Sequence, residues 1–104
     1  MADDMTLKII LHAPTPAALG RARNNAINVM REAPNAQVRI VVNAQAVAAV
    51  LDADAEELDA LTWLCPVTLL GTNRESRTPL HVLPGAAVLE IARMQQAGWV
   101  YIRA

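Results

Sequence analysis

Residues 7–16, with the sequence LKIILHAPTP, place a short apolar run directly before a helix start. The run at residues 7–11 is compact and apolar, which is typical of a buried strand. Thr15 followed by Pro16 has the pattern of a helix N-cap with proline at the first helical position. The stretch therefore predicts a first strand that passes into a helix reaching about Glu32.

The same alternation of strand and helix continues along the chain. Strands are predicted at residues 38–42, 61–65, 80–83 and 99–102, and helices at residues 44–51, 66–71 and 86–97. Residues 61–65 are ambiguous, because they also fit an extension of a preceding helix; we favour a strand, since strands must alternate with helices to complete the sheet. This alternation predicts right-handed crossovers and a three-layer α/β/α sandwich.

Polar residues between the strands predict local caps and solvated surfaces. Asn43 is placed to cap the helix that follows it, and Asp54 and Glu57 have the spacing of a capping box. The acidic residues of this region are expected to form a solvated segment that starts a helix: Asp52, Asp54, Glu56, Glu57 and Asp59. A solvated helix face is expected for Arg21, Arg23 and Arg31.

Length and composition indicate one domain over residues 1–104, since 54% of the 104 residues are hydrophobic. The formal net charge of -1 and the three aromatic residues argue against nucleic acid as a partner. No run of apolar residues approaches the roughly 18–20 that a membrane span requires, so no membrane association is expected.

The single cysteine limits the chemistry and the compartment. It excludes a disulfide within the chain and an all-cysteine metal site, and it fits a reducing environment. The acidic N-terminus lacks the basic and apolar regions of a signal peptide, so we expect a cytoplasmic protein. No metal site is expected from the two separated histidines, and no nucleotide cofactor, because glycine-rich phosphate motifs are missing.

Cys65 is the leading candidate for chemistry. If residues 61–65 form a strand and Pro66 opens a helix, the thiol lies at the carboxyl end of a strand and at a helix N-terminus. Ligands of open α/β sheets bind at that edge, and helix N-termini favour the thiolate. The alternative is a small apolar core residue, since free cysteines are often buried and apolar surroundings raise the pKa of a thiol.

His12 and Thr15 are the candidates at the end of the first strand. His12 is placed to assist the Cys65 thiol, or else to bond the backbone of its own loop. Thr15 begins a helix whose N-terminus is suited to an anion.

The order of these features resembles the DsrE/DsrF-like family over nearly the whole chain. The first half carries the strand Lys8–Leu11, the loop at residues 12–15, the Arg/Asn-rich helix at residues 21–25 and the strand Val38–Asn43. The second half carries Leu64-Cys65-x-x-Thr68-Leu69 and the closing Gly98-Trp99-Val100-Tyr101-Ile102, in the style of small bacterial members. After the cysteine, Pro66 and Val67 depart from the polar residues usual in the family.

The resemblance implies a flavodoxin-like sandwich with a five-stranded, mainly parallel sheet, and a homo-oligomer that is a dimer, trimer or hexamer. It also implies that Cys65 accepts sulfane sulfur as a persulfide and passes it on. The expected function is therefore that of a sulfur carrier or sulfurtransferase subunit, with sulfur-donor and sulfur-acceptor proteins as partners. In this reading His12, Thr15, Pro66 and Thr68 line the pocket around the thiol.

Two other functions remain open from the residues. The first is a non-catalytic homo-oligomeric module in which Cys65 is a core residue and Trp63, Trp99 and Tyr101 form subunit contacts. The second is the binding of a small anionic ligand at the loops after strands one and three. If the protein is an enzyme, the reaction expected is sulfur transfer through a cysteine persulfide.

Overall fold

The first strand and the first helix meet where the sequence predicts. In a computed structural model of the protein, β1 spans Lys8–Ala13 and α1 spans Pro16–Glu32. Thr15 is the N-cap of α1, and its Oγ1 accepts a hydrogen bond from the N–H of Ala18 at 3.1 Å. Pro16 has no N–H to leave unsatisfied at this position, so the TP pair starts the helix as predicted.

The structure describes residues 7–53 and 56–104. Two features considered in the sequence lie outside these ranges. They are the acidic N-terminus within residues 1–6, and Asp54 of the predicted capping box.

Strands and helices alternate through the described chain. After α1 come β2 (Gln37–Val42), α2 (Gln45–Asp52), a 3₁₀ helix (Glu57–Leu61), β3 (Thr62–Leu64), α3 (Pro66–Thr72), β4 (His81–Val82), α4 (Ala87–Gln96) and β5 (Val100–Arg103). The ambiguous segment at residues 61–65 is thus a strand, although it is shorter than predicted. The 3₁₀ helix before it ends at Leu61, and Cys65 after it is the N-cap of α3.

Within the described ranges the strands form one five-stranded sheet in the order β4-β3-β2-β1-β5. Every pairing is parallel, and Ile9 of β1 is opposite Val38 of β2 on one side and Val100 of β5 on the other. The fold is therefore the expected α/β three-layer, flavodoxin-like sandwich, and its sheet is parallel throughout.

The two faces of the sheet are covered unequally. One face packs against α1 and α2, with Leu69 of α3 at its margin, and its buried strand residues include Ile9, Leu11, Ile40 and Val42. The other face packs against α4 and buries Ile10, Val41, Cys65, Leu83, Ala87, Ile91 and Met94. In the described chain α4 is the one helix whose residues join this second cluster, and Trp63 and Trp99 pack beside it.

A buried ion cluster fixes the chain between α2 and β3. Asp59 is fully buried, and its Oδ2 accepts hydrogen bonds from Arg77 Nη1 at 2.6 Å and from the Glu56 N–H at 3.0 Å. Arg23 Nη2 lies 3.7 Å from Asp59 Oδ1. The prediction of a solvated acidic segment is therefore wrong for Asp59, and the prediction of a solvated arginine face is wrong for Arg23. The observed capping box joins Glu56 and Asp59.

None of the helices in the described part of the chain is long and apolar enough to cross a bilayer.

Candidate functional site

Cys65 occupies the junction between β3 and α3, as the sequence predicts. Its N–H donates to the carbonyl of Val42 at 3.0 Å, which holds it beside the end of β2. Its side chain lies on the face covered by α4 and is 5% exposed. The sulfur accepts a hydrogen bond from the N–H of Ala87, the first residue of α4, at 3.4 Å. The thiol is therefore both a member of the second core and a hydrogen-bonded group.

The surroundings of Cys65 favour its thiolate. Burial raises the pKa of the thiol, but hydrogen bonds from the N–H groups of Thr68 and Ala87 oppose burial. The Thr68 hydroxyl and the Val67 N–H act in the same direction, and the net effect is a pKa below the ordinary value of 9.0. The physical cause is the convergence of N–H groups from the first turns of two helices, which have no partners inside their own helices.

Thr68 and Pro66 position the cysteine in different ways. Pro66 is the first residue of α3, where its ring fixes the helix start directly after Cys65. Thr68 Oγ1 accepts a hydrogen bond from the N–H of Ala44 at 3.2 Å, and the same hydroxyl helps to lower the pKa of the Cys65 thiol. Ala44 has φ 48° and ψ −137°, a conformation that strains a residue with a side chain. Thr68 therefore connects the cysteine to a strained turn at the end of β2.

His12 takes part in a separate hydrogen-bond network. Its Nδ1 lies 2.6 Å from Tyr101 Oη, and its Nε2 lies 2.9 Å from Asn43 Oδ1. Both ring nitrogens are thus engaged by partners other than the sulfur of Cys65. The predicted contact of His12 with the thiol is not found. Main-chain N–H groups act on the Cys65 thiol instead. Thr15 is also separate, since its side chain caps α1.

Asn43 does not cap α2, contrary to the sequence prediction. The N-cap is Ala44, and no side chain makes the cap hydrogen bond. The amide of Asn43 turns to His12 instead, because residue 43 follows β2 on the same sheet face as Val41 and His12. The Asn43 side chain therefore follows β2, which lies between β3, the strand before Cys65, and β1, the strand that carries His12.

An open cleft of about 400 Å³ lies beside α4, next to this network. Its polar wall is formed by His12, Asn43, Tyr101 and Gln95. Its apolar wall is formed by Val88, Ile91 and Ala92 of α4. We call it the α4 cleft. Neither Cys65 nor Thr15, Pro66 or Thr68 lines it. The predicted pocket residues therefore lie in three places, because Thr15 caps α1 and is separate from both the cleft and Cys65.

Sequence reasoning missed Asn43 and Tyr101 as members of a site. The pattern offered one signal for each, because Asn43 follows a strand at its carboxyl end and Tyr101 is the one tyrosine of the chain. What joins them is the parallel pairing of β1 with both β2 and β5. No local sequence pattern reveals which strands are neighbours in the sheet.

A second unpredicted feature is a stack of aromatic and cationic side chains across the same face. The guanidinium of Arg39 lies 4.6 Å from the ring centre of Trp63 and 4.8 Å from that of Trp99. Trp63 in turn stacks on His81 at 4.2 Å between ring centres, and Lys8 lies 5.8 Å from the Trp99 ring. The stack lies beside α4, since Arg39 Nη1 is 3.5 Å from Met94 Sδ, and both tryptophans are engaged within the chain.

Among residues 7–53 and 56–104, no group of three or more His, Cys, Asp and Glu side chains is placed to hold a metal ion.

No protein-family model matches the chain, and no curated protein matches it.

Proposed function

We propose that the protein is a cytoplasmic sulfur carrier of the DsrE-like type, which holds a persulfide on Cys65. The observation that carries the proposal is the placement of the Cys65 sulfur, which accepts a hydrogen bond from the Ala87 N–H at 3.4 Å and lies at the N-terminus of α3, where Thr68 and Val67 help to lower the pKa of the thiol. These surroundings favour the thiolate, which is the nucleophilic form of cysteine. This observation does not depend on the resemblance to a family, so it supports the proposed function independently.

The transfer needs no cofactor and no change in net oxidation state. The Cys65 thiolate attacks the outer sulfur of a donor persulfide, R–S–SH; the new S–S bond forms on Cys65, and the donor leaves as the thiolate R–S⁻. An acceptor thiolate then attacks the outer sulfur on Cys65, and Cys65 leaves as a thiolate. The main-chain N–H groups stabilise the charge on Cys65 before the first step and after the second.

Access to the sulfur sets a condition on this mechanism. Cys65 is 5% exposed, and the first turn of α4 covers it through Ala87. A donor protein therefore reaches the thiol only when the start of α4 moves away from Cys65. We expect the rate of sulfur transfer to follow this opening and to rise in variants that loosen the start of α4.

The test is intact-protein mass spectrometry after incubation with a cysteine desulfurase and cysteine. We expect the protein to gain sulfur that reductant removes, and we expect the Cys65→Ser variant to gain none. Thr68→Val removes one donor from the thiolate and is expected to slow the gain, whereas Thr68→Ser retains the hydroxyl and serves as the matched control. No gain of sulfur, together with a thiol that is alkylated only after unfolding, would show that Cys65 is a core residue.

A non-catalytic homo-oligomeric module is the second candidate, because apolar side chains remain exposed at one end of the sheet. β5 is an edge strand, and Val100 and Ile102 on it are 46% and 41% exposed. Exposed edges of this kind pair readily with another chain. We propose that a second copy pairs along β5 and forms a homodimer.

Light scattering tests the oligomer separately from the sulfur chemistry. A dimer of the parent that becomes a monomer in Ile102→Lys supports pairing along β5. Val67→Lys is the control, because Val67 is 63% exposed on α3 and away from that edge. A parent that is monomeric at micromolar concentration would contradict the proposal.

A further inference from the structure

The α4 cleft has the size and the wall chemistry of a small-molecule site. Its volume of about 400 Å³ lies within the ~300–1,000 Å³ usual for ligand pockets. One wall is apolar and the other carries polar groups that converge on the cleft, an arrangement that fixes a ligand's orientation. The site is distinct from the sulfur of Cys65, which does not line it.

The hydrogen-bond network determines what the polar wall offers. Asn43 presents its Oδ1 to His12, so His12 Nε2 carries a proton and donates it to Asn43. In the neutral ring Nδ1 then has a lone pair, and Tyr101 donates its only hydroxyl proton to it. Within this network two groups are left for a ligand: lone pairs on Tyr101 Oη, which accept, and the amide N–H₂ of Asn43, which donates. Gln95, which also lines the cleft, adds a side-chain amide that can both donate and accept.

The charged residues near the cleft restrict the chemical class of its ligand further. No Asp, Glu, Lys or Arg lines it. Arg103 is opposite His12 in β5, and its Nη1 donates to the carbonyl of Ala104 at 2.8 Å. A charged ligand would therefore lose water without gaining an ion pair, which is unfavourable.

We propose that the α4 cleft binds an uncharged small molecule that carries an N–H or O–H donor beside a carbonyl acceptor on an apolar body. Amides, lactams and hydroxyketones belong to this class. The donor of the ligand bonds to Tyr101 Oη, its carbonyl accepts from Asn43, and its apolar part lies on Val88, Ile91 and Ala92. This ligand differs from the anion expected at the loops after strands one and three, in both charge and location.

The experiment uses three matched probes of one ring size: benzamide, benzoate and benzylamine. Each is titrated into the ¹⁵N-labelled protein up to about 10 mM while amide chemical shifts are recorded. We expect benzamide to shift the resonances of Val88, Ile91, Ala92 and Gln95. We expect the two charged probes to bind at least about tenfold more weakly, since one unpaired charge is brought out of water.

Two variants locate the site. Ala92→Trp fills the cleft from an exposed helix position and is expected to abolish the benzamide shifts. Gln96→Trp makes a comparable change at another exposed position of α4 that does not line the cleft, and it is expected to leave them unchanged. Benzamide shifts that are absent, that persist in Ala92→Trp, or that benzoate or benzylamine reproduces at equal concentration would overturn the proposal.

Discussion

Replacing Asp59 by asparagine tests whether the buried ion cluster stabilises the fold. Asp59 is fully buried and bonds Arg77 at 2.6 Å, with Arg23 at 3.7 Å. Asparagine keeps an oxygen that can accept from the Glu56 N–H, so the variant removes mainly the negative charge. Two guanidinium groups are then left without their shared partner in a poorly solvated site.

The expected loss follows from the burial of the partners. Removing one member of a buried ion pair costs about 3–5 kcal/mol. The side chains of Arg77 and Arg23 retain 27% and 16% exposure, so water relieves part of the penalty and we expect about 3 kcal/mol, the low end of that range. With an unfolding entropy of roughly 2.1 cal/mol/K per residue, this lowers the Tm of the 104-residue chain by about 14 °C.

Asp52→Asn is the matched control, because Asp52 bonds Arg74 at the same distance of 2.6 Å but at 68% and 40% side-chain exposure. Exposed pairs contribute about 0–1 kcal/mol, so this variant is expected to change stability little. Urea unfolding gives both free energies, and an unchanged m-value shows that the unfolded states are comparable. Arg77→Gln should also destabilise the Asp59→Asn background less than it does the parent.

Equal losses for Asp59→Asn and Asp52→Asn would refute the reasoning, since burial is the main difference between the two pairs.

Four further outcomes are expected. Ala44→Gly relieves the positive φ and stabilises the protein by about 1 kcal/mol in urea unfolding, whereas Ala49→Gly within α2 destabilises it by a similar amount. Thr68→Val raises the pKa of the Cys65 thiol, so its alkylation rate increases over a higher pH range than in the parent or in Thr68→Ser. Identical pH profiles of the alkylation rate would contradict this. The lowered pKa of the parent also means that its unfolding free energy increases with pH as the thiolate forms below the ordinary value of 9.0, and a pH series of urea unfolding in which Cys65→Ser shows the same increase would contradict this linkage. Arg39→Met removes the cation between two tryptophan rings and is expected to cost about 1 kcal/mol with a changed tryptophan emission; unchanged emission would show that the stack is absent in solution.

Local sequence patterns were sufficient for the elements of this fold. The TP pair at residues 15–16 starts α1, and apolar runs of strand length mark the strands, because caps and side-chain periodicity act over a few neighbouring residues. The junction of Cys65 with a helix start was predicted for the same reason, since Pro66 suits the first position of a helix. Even the ambiguous segment at residues 61–65 followed from the need to alternate strand and helix.

Features that depend on distant residues were not accessible from the sequence. Asn43 is of a residue type that commonly caps helices, yet its amide forms a hydrogen bond with His12, because parallel pairing places the ends of β1 and β2 side by side. Asp59 is of a residue type that is usually solvated, yet it is buried, because it forms an ion pair with Arg77, which lies 18 residues further along the chain. In both cases a partner brought by the fold decides between two roles that the residue type alone permits.

The sequence by itself determined an α/β domain with one cysteine at the end of its third strand, because those properties depend on neighbours in the chain. The tertiary structure alone decided that α4 covers this cysteine and donates a main-chain N–H to its sulfur. It also decided that His12, Asn43 and Tyr101 meet at a cleft, although 31 and 89 residues separate the bonded pairs. The physical reason is that strand order and helix packing follow from the burial of apolar surface by the whole chain, which no short segment specifies.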